Sequence, residues 1–236
     1  MEYFILVLLA CLFVFLFCIH FLSHDDFVLL RKDISIEKVF NLSFLTFTVG
    51  LFFARFLYAF FYNINLFLKP LDFILFPYFP GLSLTGGVLG GAVFLIYYLK
   101  IKKMPLERLL DFFSISILSA LPVGYLGYFL FMLPKTFVWD AIILMIAYTG
   151  FFVAFIKFLC FDLLLKGKLK DGTIGTLFLI SFSLMSLLDG IITRFKNFGF
   201  LDQPQNYILF GAFLISLVFL IDQENLIVKF IKLKKK

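Results

Sequence analysis

Charge is scarce in this chain: 15% of its 236 residues are Asp, Glu, Lys or Arg, against 63% hydrophobic residues. A soluble domain of that size could not hide so much apolar surface, which excludes a water-soluble globular protein and makes the bilayer the solvent. Histidine occurs twice and cysteine three times. Cys11, Cys18 and Cys160 all lie inside apolar runs, so neither a disulfide framework nor a zinc site is expected, and no cofactor is implied. The net charge of +6 does not mark a nucleic-acid binder, because most basic residues sit in short connections between apolar runs. "LLAC" at Leu8–Cys11 has no basic segment before it, and the apolar run continues to Leu22. It is therefore expected to be a retained first span and not a cleaved signal peptide.

What the chain has instead is phenylalanine, 38 residues of it, and seven apolar segments near the length of about 20 residues that crosses a bilayer. They run near 3–22, 39–61, 81–99, 109–133, 137–165, 173–193 and 207–221. The expectation is an all-α integral membrane protein with about seven transmembrane helices in a single polytopic domain, 1–236. Fifteen Lys and Arg fall in the first, third and fifth connections and the C-terminal tail. Lys69, Lys135, Arg194 and Lys196 fall on the opposite side, and Arg55 and Lys157 lie within spans. That asymmetry places the N-terminus outside and the C-terminus in the cytoplasm. Residues 63–80, "NINLFLKPLDFILFPYFP", are too apolar for a solvated loop and too broken by proline to span. They are expected to lie along the outer interface as a short amphipathic helix or re-entrant segment.

Polar residues inside a membrane are costly and usually face an interior or a cavity. Arg55 lies six residues before the end of the second span, about 9 Å deep. Tyr58 and Tyr62 follow it on the same helix face. Thr85, Tyr125, Tyr128, Ser186 and Asp189 fall at a similar depth on the third, fourth and sixth spans, whereas His20 and His24 sit at the other end of the first. Two readings stay open. One is an outward-facing cavity for an anionic lipid head group with Arg55 as phosphate partner; the other is an Arg55 that snorkels or pairs with Asp189 for structure alone. Gly86 with Gly90, and Gly87 with Gly91, form two overlapping small-xxx-small pairs. These suit close helix packing, or backbone access for an anion at the start of the third span.

The run Ala54–Gly91, "ARFLYAFFYNINLFLKPLDFILFPYFPGLSLTGGVLGG", resembles a stretch of the prolipoprotein diacylglyceryl transferase family. That stretch reads G-A-R-x-x-Y, an aromatic run, a Pro-containing interfacial helix, then G-x-S-F-H-G-G-x-x-G. Arg55, Tyr58, Gly81, Ser83, Gly86, Gly87 and Gly90 match in order and spacing. "LLDFFSISILSALPVGYLGYFLF" is similar to the family's D-x(n)-L-G-R-x-G-N-F at Asp111, Gly124, Gly127 and Phe129, and "VWDA" to its L-Y-E-A.

The departures are specific. Thr85 stands where the family has histidine, Tyr125 where it has arginine and Tyr128 where it has asparagine. In its later R-F-x-x-E-x-x-R pattern, Ser186 falls near the first arginine, Asp189 near the acid, and Arg194 near the last arginine with a shift of one residue.

The resemblance implies a multi-pass protein of the bacterial cytoplasmic membrane. It implies transfer of diacylglyceryl from phosphatidylglycerol to a lipobox cysteine of prolipoproteins, releasing glycerol phosphate, with Thr85 and Tyr125 at the catalytic positions. Arg55, Tyr58, Gly86, Gly87, Tyr128, Ser186, Asp189 and Arg194 would surround the lipid. Threonine is no base near neutral pH, and tyrosine titrates near about 10. The alternative is therefore a non-catalytic relative that binds anionic phospholipid or a membrane partner. A channel or transporter has less support, since no span carries a repeated ionisable stripe and no inverted repeat is visible.

Overall fold

The computed structural model describes residues 2–24, 26–74, 81–132, 139–157, 169–194 and 203–224. Among them there is helix and no strand. The elements are α1 (Glu2–Ser23), α2 (Phe27–Arg31), α3 (Ile36–Tyr62), a 3₁₀ turn (Ile64–Leu68), α4 (Pro70–Ile74), α5 (Leu84–Ile101), α6 (Leu106–Met132), α7 (Trp139–Ala154), α8 (Thr173–Arg194) and α9 (Pro204–Gln223).

Among the described residues, five helices are long and apolar enough to cross a membrane: Phe4–Ser23, Ile36–Tyr62, Leu84–Ile101, Leu106–Leu130 and Pro204–Gln223. Two apolar helices are shorter, Ala141–Lys157 and Thr173–Asp189. The ends of the expected fifth span, 137–138 and 158–165, lie outside the described residues. The helices turn apolar side chains outward, the reverse of a soluble protein. Phe13, Phe17 and Phe21 recur at four-residue spacing along α1 and are 64–70% exposed. Such a stripe needs lipid against it.

Helix starts depart from the apolar runs by a few residues, and capping explains the shifts. The second span begins at Ile36, before Val39, because Ser35 accepts the Lys38 N–H at the N-cap. The third begins at Leu84 and not at Gly81. Gly81 adopts φ +146°, a conformation no helix tolerates, and Ser83 then caps by accepting the Gly86 N–H at 3.2 Å. The last begins at Pro204, whose missing N–H suits the first helical turn. Sequence reading missed α2, which Asp26 caps by accepting the Val28 and Leu29 N–H groups. Within 63–80, the 3₁₀ turn gives way to α4 at Pro70; residues 75–80 lie outside the described residues.

The chain divides into two compact units: 1–106 with 123–138, and 107–122 with 139–236. The change of unit within α6 falls after Pro122, the proline inside that helix, which removes a backbone donor from its interior.

In the first unit α3 and α5 pack along a glycine seam. A Cβ on Gly86 would lie 2.7 Å from the Phe53 carbonyl oxygen, and one on Gly90 would strike the Phe53 side chain. Gly87 faces Ala54, and Gly91 faces Thr46 and Gly50. As numbers rise along α5 they fall along α3, so the two helices run antiparallel. The small-xxx-small pairs therefore pack helices, as their spacing suggests.

Candidate lipid site and its clasps

In the first unit the sequence-selected residues gather at the end of α3 and the start of α5. Arg55 is 2% exposed. Its Nε donates to the Phe73 carbonyl at 3.2 Å, one Nη to the Gly81 carbonyl at 2.8 Å and the other to the Asp72 carbonyl at 2.7 Å. The rigid guanidinium fork suits three divergent acceptors, where a lysine would offer a single point. Within its own unit Arg55 is thus held by a backbone clasp and does not snorkel into the open. Tyr58 lies over the guanidinium, 5.8 Å from its ring centroid, and its ring fills the space beside Gly81 where any side chain would stand.

Next to this clasp, the Ser83 N–H donates to the Ala54 carbonyl at 3.0 Å. Residues 54, 55 and 58 of α3 thus fix the entry to α5. Thr85 and Gly86, in its first turn, are buried, and Gly87 is half-buried. The Ser83, Gly86 and Gly87 N–H groups have acceptors, which leaves those of Leu84 and Thr85 at the positive end of the helix dipole.

On α6, Gly124 and Gly127 face α1: a Cβ on Gly124 would lie 3.6 Å from the Cys11 sulfur, and one on Gly127 would strike Val7. Tyr125 is half-buried and Tyr128 exposed. Both belong to the same unit as Arg55, Tyr58 and Thr85. Ser186 and Asp189 belong to the second unit, where they stand three residues apart on α8, both half-buried. Arg194 ends that helix, and its side chain lies outside the described residues.

A second polar network, in the second unit, escaped sequence reasoning except for Asp111. This aspartate is fully buried and accepts the N–H of Gly172 at 2.7 Å and of Gly175 at 2.8 Å, so it caps α8 from another helix. Gly172 takes φ +89°, which favours glycine. Arg108 pairs with Asp171 at 3.1 Å. Glu224, just past α9, accepts from the Thr173 hydroxyl at 2.8 Å and the Lys170 N–H at 3.1 Å. Gln223 donates to the Asp171 carbonyl and accepts from the Lys170 ammonium. The network joins the starts of α6 and α8 to the end of α9. Among the described residues, no group of three or more His, Cys, Asp or Glu is placed to hold a metal ion.

A family model described as prolipoprotein diacylglyceryl transferase matches residues 1–132. The chain belongs to the prolipoprotein diacylglyceryl transferase family. The match takes in the Arg55 clasp, the glycine seam, Asp111 and the Gly124–Gly127 face of α6. It stops short of α7, so Ser186, Asp189 and Arg194 lie beyond it. No curated protein matches the chain. Family and apolar helices together make this a multi-pass, transferase-like membrane protein of the kind that acts on lipid and prolipoprotein substrates.

Proposed function

We propose that this protein takes phosphatidylglycerol from the outer leaflet of a bacterial cytoplasmic membrane and passes its diacylglyceryl group to a lipobox cysteine. The observation that carries the reading is the family match over the half of the chain that builds the entry to α5. Seven spans, with the N-terminus outside and the C-terminus in the cytoplasm, fit the fifteen-to-four distribution of basic residues and put this entry at the outer face.

The buried Arg55 charge and the positive end of α5 favour an anionic head group there. Tyr58, Tyr125 and Tyr128 belong to the same unit as Arg55 and are proposed to take part there. In the transfer, the cysteine sulfur forms a bond to the glyceryl carbon as that carbon's bond to the phosphate oxygen breaks. Glycerol phosphate leaves, and the thiol proton must pass to an acceptor.

One observation favours the alternative, a non-catalytic relative that binds anionic phospholipid: the two positions that would move the proton and hold the leaving group carry Thr85 and Tyr125. Purified protein in phosphatidylglycerol nanodiscs, given a lipobox peptide, separates the readings. Mass spectrometry should show the peptide gaining one diacylglyceryl group. Unmodified peptide beside an active family member as control would rule out turnover and leave lipid binding.

A further inference from the structure

We infer that Arg55 is a positioning residue: it builds the head-group site by clasping the connection into α5 and does not itself touch the phosphate. The inference rests on the proposed lipid site and assigns the way that site is held.

A guanidinium has five N–H donors. Three of them are taken by carbonyls from two places in the chain, Asp72 and Phe73 at the end of α4 and Gly81 just before α5. The group thereby ties Asp72, Phe73 and Gly81 to α3. Neighbouring contacts converge on the same junction. Ala54 accepts from Ser83, the Tyr58 ring stands against Gly81, and Ser83 caps α5 through Gly86. With 2% of its surface exposed, Arg55 faces these carbonyls and not an open cleft.

The guanidinium donates to neutral carbonyls, and the Asp72 carboxylate acts on its charge only through space, so an approaching anion would feel what positive potential remains together with the positive end of α5. The direct contacts would then come from the Leu84 and Thr85 N–H groups, the two of that turn not spent on Ser83 or Ala54, whose placement depends on the clasp. Meanwhile Ile64, Leu68, Leu71 and Ile74 of the clasped segment are 67–80% exposed, so the same arginine holds an apolar strap outward.

The full-length protein in nanodiscs of phosphatidylglycerol mixed with phosphatidylcholine provides the test, comparing wild type, Arg55→Lys and Arg55→Ala. Hydrogen exchange reads the clasp, and mass spectrometry of bound lipid reads the site. Both variants should speed exchange of the 71–74 and 81–87 amides by roughly tenfold or more, the loss of about 1.4 kcal/mol. Exchange in α8 and α9 should stay unchanged, and the preference for phosphatidylglycerol should fall in step. Arg55→Lys keeps the charge, so it separates fork geometry from charge and guards against a failure of Arg55→Ala to fold. Unchanged exchange in both variants would overturn the clasp. A lost lipid preference with unchanged exchange would overturn it equally, by making Arg55 a direct ligand. A wild type with no preference for phosphatidylglycerol would remove the lipid reading, while the exchange data would still decide the clasp.

Discussion

The carboxylate of Asp111 reaches from α6 to accept the N–H of Gly175 in the first turn of α8 at 2.8 Å, across 64 residues of sequence. Capping from a different helix makes this aspartate a tertiary link as well as a helix stop. Asp111→Ala would strand that N–H and the one on Gly172, and it should cost roughly 2–3 kcal/mol. Asp111→Asn retains one acceptor oxygen and should cost about half as much, since neutral hydrogen bonds are about half as strong as charged ones. Thermal unfolding of the two variants in one detergent checks the order; equal losses would contradict it.

Two adjacent glycines should respond differently to the same methyl group. Gly86→Ala sets a Cβ 2.7 Å from the Phe53 carbonyl oxygen, a backbone atom that cannot swing away, so α3 and α5 must part. Gly87→Ala meets the Ala54 Cβ at 3.4 Å, close to ordinary contact. We expect Gly86→Ala to destabilise by about 1–3 kcal/mol, as overpacking does. Gly87→Ala should be neutral or gain up to about 1 kcal/mol from helix propensity. Melting curves that rank them the other way would refute the seam.

Thr46 on α3 carries a buried hydroxyl with no hydrogen-bond partner among the described residues, and so does Ser183 on α8. An unsatisfied buried hydroxyl is a standing cost that an isosteric apolar group avoids. Thr46→Val should therefore raise stability by about 1 kcal/mol, and calorimetry would show it as a higher melting temperature. A lower one would mean that the hydroxyl is satisfied in the membrane.

Thr85 and Tyr125 belong to one unit of the fold, and the resemblance sets histidine and arginine at their places. If the transfer reaction is limited by proton movement, Thr85→His with Tyr125→Arg should raise peptide lipidation by about a hundredfold or more, the reach of a positioned base. The readout is the initial rate of lipobox-peptide modification at fixed phosphatidylglycerol. No gain in a protein that still binds the lipid would argue that more than these two positions has diverged.

Five of the spans were legible because apolar runs have to be long to cross a bilayer, and the glycine seam because its period is that of a helix. The starts of α3 and α5 were less so: Ser35 and Gly81 act through caps and dihedral angles, which hydropathy does not register. Arg55 was conspicuous as a charge in a span, yet its partners were not. The acceptors at 72, 73 and 81 are backbone carbonyls, and every residue type carries those. Asp111 matched a motif, but its donors at 172 and 175, the Arg108–Asp171 pair and the Glu224 contacts join distant segments that no local pattern links.

The two polar clasps also differ in how much chain must exist before they can close. Arg55 finds its last partner at Gly81, 26 residues on, so the α3–α5 hairpin can lock soon after α5 has been made. Asp111 has no N–H to accept until Gly172 and Gly175 are in place, 61 and 64 residues later, and Thr173 waits a further 51 for Glu224. Biogenesis should therefore proceed in that order. Truncated nascent chains should protect the α5 junction first, while a chain ending before residue 172 would still hold a bare carboxylate in α6 and remain open to proteolysis there.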